Sequence, residues 1–480
     1  MDPDAFRRHG HAVVDWIADY LDGVGDLPVL SPLPPGDVTR SLPGALADRP
    51  EPMADILRDL DDVVLPGITH WNHPAFHAYF AITGSGPGIL GEAVTAALNV
   101  NGMLWRTSPA ATELEQVTLD WLRQLLGLDA GLSGVIVDTA SVATMTALAA
   151  ARERADLGIR ERGMAGRDDL PALRVYTSTH AHSSVEKGAI TIGLGRDGVR
   201  AVPVDADFRM DVDALEEAIR SDLAAGVRPL AVVATVGTTS TTSIDPVPAI
   251  ATALDRLRSE VPGGIWLHVD GAYGGTAAML AERRHVLAGV EQADSFVVNP
   301  HKWLFTPIDC TAFYVREPEV LRRAFSLVPE YLRTTDAEDV TNYMDWGVQL
   351  GRRFRALKLW MVLRYFGRDG LEARLRFHLE LAERVTAWVD AHPVLERLAP
   401  VPFSTVCFRA RPAGIDDEDE LRRLNAGVLD AVNRSGEAYL SHTELDGRYT
   451  LRLAIGNLRT TPERLDRTLA AIDRELSART

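Results

Sequence analysis

The chain has 480 residues, enough for two or three domains around a large core, and 46% hydrophobic with 24% charged residues is the composition of an ordinary globular protein, not a disordered one. A formal charge of −17 with no long basic block argues against a nucleic-acid surface, which needs concentrated positive charge against phosphate, and favours small-molecule chemistry. Cys310 and Cys407 are the only cysteines, too few for a disulfide framework or a cysteine metal cluster, so a reducing cytoplasm is expected.

In chain order, MDPDAFRRHGHAVVDWIADYL places Phe6, Val13, Ile17 and Tyr20 at helical spacing and carries acidic residues unlike those of a signal peptide. Residues 27–52 hold seven prolines, too many for a helix interior or a paired strand, and read as an extended arm. Helical spacing returns in MADILRDLDDVVLPG, in ILGEAVTAALNVNGML and in TELEQVTLDWLRQLLGL, with Pro109 and Thr112 as start signals. From residue 134 short apolar or β-branched runs alternate with helical patterns: GVIVDT, LRVYTS, PLAVVATVG, IWLHVDG, ADSFVVNP and TAFYVRE are the expected strands. This alternation predicts an α/β fold with a mostly parallel central sheet flanked by helices, whose ligands sit at the carboxyl ends of the strands. GRRFRALKLWMVLRYFG (351–367) reads as a long helix, and the strands FSTVCFRA and YTLRLAIG with two more helices form a small C-terminal α/β domain. The division expected is 1–85, a helical N-terminal arm; 86–360, a large domain; and 361–480, a small one. No run approaches the roughly 20 apolar residues of a membrane span, and no membrane partner is expected.

Arginine holds all but three of the 50 basic positions, and lysine occurs only at Lys187, Lys302 and Lys358. An arginine stays protonated, whereas a desolvated lysine becomes a nucleophilic amine, which singles out Lys302 in DSFVVNPHKWLF. A strand-end lysine with its charge in solvent, or an ion pair with Asp270 at the end of IWLHVDG, would fit the same two residues. In VIVDTASVATMTALAA a strand runs through Thr139, Ala140 and Ser141 into a helix, where exposed amides suit an anion, although Ser and Thr also cap helices that bind nothing. Thr238 and Thr239 follow another strand, and His180 and His182 follow LRVYTS. No metal site is expected, because His-Ala-His lacks a third ligand at suitable spacing and Pro74 interrupts HWNHPAFH. GSGPG at 84–88 lacks the full dinucleotide fingerprint and reads as a loop.

A lysine for a Schiff base, an aspartate for a pyridinium nitrogen, a flat imidazole and an anion cradle are together what pyridoxal phosphate requires. With HWNHPAFHAYF, SPAATELEQVTLDWL, HAHSSVEKG, ATVGTTSTTSID, WLHVDGAYGG, ADSFVVNPHKWL and LGRRFRALKLW, the chain resembles the pyridoxal-phosphate-dependent group II amino-acid decarboxylases, most of all the aromatic L-amino-acid decarboxylases. The resemblance implies fold type I, like aspartate aminotransferase, and a cytoplasmic homodimer with a swapped N-terminal segment. It implies that Lys302 forms the Schiff base, Asp270 pairs with the ring nitrogen and His182 stacks on the ring. Ala140, Ser141, Asn299 and His301 match phosphate-side positions, and Thr239 and Ala272 lie beside the ring. Tyr331, in a polar segment read as a mobile loop, matches the position that protonates the substrate carbon. Trp71, Tyr79, Ile82, Met103 and Gly351 match the substrate pocket, which is expected to take a bulky aromatic amino acid, tryptophan or the phenylalanine and tyrosine type, and to release the amine and CO2. An aromatic aldehyde synthase or a decarboxylase of aliphatic amino acids is the alternative. Val142 stands where the family often has an acidic residue, and Ile82, Gly86 and Met103 depart from the frequent Thr, Tyr and Phe of animal relatives.

Overall fold

A computed structural model describes residues 1–327 and 340–480. It divides into two compact units, one of Met1–Ala81, Leu381–Leu398 and Val406–Thr480, the other of Ile82–Glu380 with Ala399–Thr405. The expected segments 1–85 and 361–480 thus fall largely within one unit.

The larger unit is built on seven strands: β1 (Ser133–Val137), β2 (Leu173–Ser178), β3 (Val199–Val202), β4 (Arg228–Thr235), β5 (Trp266–Asp270), β6 (Ser295–Val298) and β7 (Thr311–Val315), in the order β1-β7-β6-β5-β4-β2-β3. All neighbours are parallel except β7, which runs antiparallel to both β6 and β1. β1, β2, β4, β5 and β6 therefore end at the same edge, where β7 begins. β4 to β7 are near-continuous apolar runs because helices cover both faces. Phe296, Phe313, Val232 and Val297 are fully buried, each contributing about 1.5–3 kcal/mol.

The core of the smaller unit is a sheet of four strands, β8 (Leu395–Arg397), β9 (Thr405–Ala410), β10 (Ser441–Leu445) and β11 (Arg448–Ala454), in the order β10-β11-β9-β8, with the helices Glu418–Ser435 and Pro462–Ser477 beside it. The helix Pro3–Gly23 forms as its spacing predicts, started by Asp2 accepting from the Ala5 amide at 2.7 Å, yet buries none of its residues. Trp16 reaches Asp61 with its indole N–H at 2.7 Å, and Tyr20 meets His70 Nδ1 at 3.1 Å.

Three sequence expectations need correction. GSGPG is not all loop: Ser85 precedes the helix Gly86–Leu98, and Pro87 fits its first turn, where a missing N–H costs nothing. The helix expected over 351–367 starts only at Ala356, because Arg352 before it is drawn into a buried ion pair. Gly367, at φ 61°, separates it from the helical stretch that follows, up to Ala391. The proline-rich arm contains one short helix, Asp37–Ser41.

Candidate active site

The polar loops anticipated from sequence meet at the shared strand edge. Asp270 is the last residue of β5, paired with Thr235 on β4 and Val297 on β6, so strand pairing brings it beside the segment carrying Lys302. Its carboxylate is 5% exposed and accepts the Ala272 amide at 3.0 Å. Lys302 lies in a short helix, Pro300–Trp303, that follows β6 at once, and its amide bonds back to Asn299 O at 2.9 Å. Asn299 N in turn donates to Ala272 O at 3.1 Å, tying the two loops by main chain.

His182 follows β2 and stands just before the helix Ser184–Thr191, its Nδ1 accepting the Ser184 amide at 3.1 Å. The ring is exposed, yet its surroundings lower its pKa, through desolvation first, then the charge of Lys302, with Asp270 opposing. The imidazole therefore lies within electrostatic reach of both the amine and the carboxylate. His301, 4% exposed, is pushed down to about 4, mainly by burial and then by Lys302. Its Nδ1 accepts the Cys310 amide at 3.0 Å and its Nε2 lies 3.3 Å from the Asn299 side-chain amide. The Thr311 hydroxyl, at the start of β7, is 3.0 Å from Asn299 Oδ1 and 3.1 Å from Asp138 O. His301 and Asn299 are thereby fastened to the loop that leaves β1.

That loop opens the helix Ala140–Arg154, capped by Thr139, whose hydroxyl accepts the Val142 amide at 3.4 Å. The amides of Ala140 and Ser141 in the first turn have no preceding carbonyl to bond, and they carry the positive end of the helix dipole. Among the described residues, buried side-chain oxygens without a protein partner include Asp138 Oδ1, Ser178 Oγ and Thr235 Oγ1 at or just past these strand ends. Thr239 is exposed beyond β4 and Ala272 is buried beyond β5. A group with a phosphate, a ring nitrogen and an aldehyde is matched here by a helix N-terminus, a buried carboxylate and a lysine, so the residues fit pyridoxal phosphate.

Two of the small residues after Asp270 let other parts of the protein approach closely. A Cβ on Gly271 would meet the Phe296 ring at 2.5 Å, and one on Gly274 would meet Val236 O at 2.6 Å and Phe403 at 2.7 Å.

The expected pocket residues fall into groups. Trp71 and Tyr79 belong to the smaller unit and stack at 5.7 Å, backed by Phe76, 4.4 Å from Trp71, and by Tyr439, whose hydroxyl is 3.4 Å from that of Tyr79. Met103 and Gly351 adjoin in the larger unit, where Gly102 N donates to Arg352 O and Arg352 N to Asn101 Oδ1, both at 2.9 Å, and Met103 packs with Leu104 and Met344. Ile82 is half-buried. Tyr331 lies outside the described residues.

Sequence reasoning did not find what the TELE and GRRFR blocks do. Glu115 and Arg352, 4% and 6% exposed, pair at 2.6 Å, and both also bond the main chain of Ile136 on β1. The histidines of HWNHPAFH are held by protein. His73 accepts the Ala75 amide at 3.0 Å, His77 lies 3.3 Å from Ala454 O and 3.4 Å from the Thr468 hydroxyl, and burial pushes both rings down to about 4. No group of three or more potential metal ligands occurs among the described residues, and none of their helices is long and apolar enough to cross a membrane.

A lysine and a carboxylate on adjoining strand ends, with an anion-binding helix start alongside, define a fold type I pyridoxal-phosphate enzyme. Residues 35–411 match the model of the pyridoxal-dependent decarboxylase conserved domain, and the chain belongs to that family. It is 41% identical to tyrosine decarboxylase 4 of Petroselinum crispum over 96% of this chain and 91% of that protein. It is 40% identical to phenylacetaldehyde synthase of a Rosa hybrid cultivar, over 95% and 91%. The crystal structure of Oryza sativa TDC with PLP and tryptamine matches with a TM-score of 0.94 at 36% identity, covering 100% of this chain and 99% of that one.

Proposed function

We propose that the chain decarboxylates a bulky aromatic L-amino acid, of the tryptophan or the phenylalanine and tyrosine type, to the amine and CO2. The observation that carries this is the pairing of Asp270 at the end of β5 with β6, which delivers Lys302, in a chain alike over nearly its whole length to aromatic decarboxylases. Pyridoxal phosphate, when bound, supplies an aldehyde for the amino group and a pyridinium that accepts the electron pair left as CO2 departs. Lys302 would be the residue that holds the aldehyde. Asp270, fixed by the Ala272 amide, keeps a proton on the ring nitrogen. His182, Thr239 and Ala272 would be the residues at the ring, and Ala140, Ser141, Asn299 and His301 would hold the phosphate. Trp71, Tyr79, Ile82, Met103 and Gly351 are proposed as the residues that contact the substrate side chain. Tyr331 gives a proton to the substrate carbon as general acid.

The chain is proposed to act as a cytoplasmic homodimer through its N-terminal segment. Phe6 at 67%, Val14 at 55% and Leu46 at 96% exposure support an interface there, and Cys310 and Cys407, both buried and not joined by a disulfide, suit a reducing compartment. The phenylacetaldehyde synthase relative favours a second reading, in which one oxygen and one water are consumed and aldehyde, ammonia and hydrogen peroxide leave with the CO2. The test is product analysis by mass over the twenty amino acids. Amine from an aromatic substrate is the expected result, aldehyde gives the second reading, and a preference for glutamate, or for valine, overturns the aromatic assignment. Tyr331→Phe is expected to shift product from amine to aldehyde, and unchanged amine with no aldehyde would remove that role from Tyr331.

A further inference from the structure

Beyond the strand ends, the residues that follow Asp270 and Lys302 meet in a buried cluster. Tyr273, three residues after Asp270, stacks on Trp303, the residue after Lys302, with centroids 4.9 Å apart and planes 12° from parallel. Phe403 stands edge-on to both rings, at 6.2 and 6.3 Å. The Tyr273 hydroxyl is 2.6 Å from Ser404 Oγ, and the Trp303 indole N–H donates to His378 Nδ1 at 2.9 Å. Tyr273, Trp303, His378, Phe403 and Ser404 are all 3% exposed or less. An indole N–H can only donate, so His378 must present a lone pair at Nδ1 and carry its proton on Nε2.

We propose that the Tyr273–Trp303 stack, anchored by His378, is a clamp that sets the Lys302 amine against the Asp270 carboxylate, and that Tyr273, Trp303 and His378 are positioning residues for cofactor capture. Main-chain bonds tie the two loops at Ala272 and Asn299 and hold His301 to Cys310 O at 3.3 Å, and Lys302 comes next, on a helix of four residues. Such a helix has no rigidity of its own and takes its orientation from packing. Trp303, the residue after Lys302, is packed on one face by Tyr273, with Phe403 edge-on beside the pair. A ring hydrogen-bonded at one edge and stacked on one face can neither slide nor turn, so the lysine beside it is held as a pre-organised site requires.

The clamp rests on Lys302 and Asp270 being the cofactor residues. Its test compares Trp303→Phe, which keeps the stack but loses the donor, His378→Leu, which loses the acceptor, the double variant, and His378→Asn, whose amide oxygen restores an acceptor near Nδ1. Affinity of the cofactor-free protein for pyridoxal phosphate is measured by fluorescence, beside the visible absorbance of the loaded protein and its thermal midpoint. Trp303→Phe and His378→Leu are each expected to weaken cofactor binding about tenfold or more and to shift the absorbance. The double variant should regain thermal stability, since no buried polar group is left unpaired, without regaining affinity, and His378→Asn should bind close to wild type. Loss of thermal stability with unchanged affinity and absorbance would reduce the cluster to packing and overturn the clamp. If His378→Leu does not fold, Trp303→Phe decides alone. Reductive trapping of the cofactor on a lysine other than Lys302 would instead overturn the assignment beneath it.

Discussion

At the strand ends of the larger unit, polar side chains are buried one by one against neighbours, Asn299 at 2%, His301 at 4% and Asp270 at 5% exposure, whereas the helix Pro3–Gly23 has no fully buried residue and leaves Phe6, Val13 and Val14 exposed. The difference separates two kinds of information. A buried polar residue calls for a partner beside it, because an unpaired one costs about 1–3 kcal/mol. An amphipathic helix with its stripe open has its energetic partner elsewhere, and the proposed homodimer supplies one.

The largest effect is expected at the strand ends. Lys302→Ala should abolish turnover and leave the far-ultraviolet circular dichroism unchanged, and steady amine production near the wild-type rate would break the account. Next is Glu115→Ala, which strands the Arg352 guanidinium in a site where the pair is 4% and 6% exposed. Urea unfolding should lose roughly 3–5 kcal/mol, as for other buried pairs broken on one side. A loss below 1 kcal/mol would mean that water reaches the pair.

Acid should act on both units. His73 and His77 in the smaller unit, and His268 and His301 in the larger, are all pushed by burial from 6.5 to about 4. Between those values the unfolded chain binds a proton that the folded chain refuses, so stability rises with pH there. The contribution is full above pH 6.5 and is lost as pH falls toward 4, at about 1.4 kcal/mol per pH unit for each ring. Urea unfolding at pH 6.5, 5.5 and 4.5 should show this slope, flattened by His77→Gln or by His268→Asn; an unchanged slope would mean those rings already bind protons when folded. The smallest effect on the folded chain is expected for Val14→Glu. At 55% exposure it should alter unfolding of the monomer by less than about 0.5 kcal/mol, yet raise the monomer fraction in sedimentation. A dimer unaffected by it would place the interface away from this helix.

Much of the larger sheet was legible because its strands are buried on both faces and therefore continuous in sequence: LRVYTS is β2 from end to end. β3 was missed, since Val199–Val202 is a four-residue edge strand with little apolar pattern. Strand direction was not legible either, because TAFYV would read the same parallel or antiparallel. At the site, Asp270 and Lys302 stood out by position after a strand and by the rarity of lysine. His378 did not, being 75 residues from the indole it accepts from, and no local pattern reports a contact made only in the folded chain. The Arg352–Glu115 pair spans 237 residues for the same reason.

The measurement that bears most directly on the strand-end site uses the scarcity of lysine. The protein loaded with pyridoxal phosphate is reduced with borohydride, digested, and its peptides weighed. A pyridoxyl group on Lys302, with Lys187 and Lys358 unmodified, is the predicted result; the group on either of those two lysines, or on none, would contradict the site described for this chain.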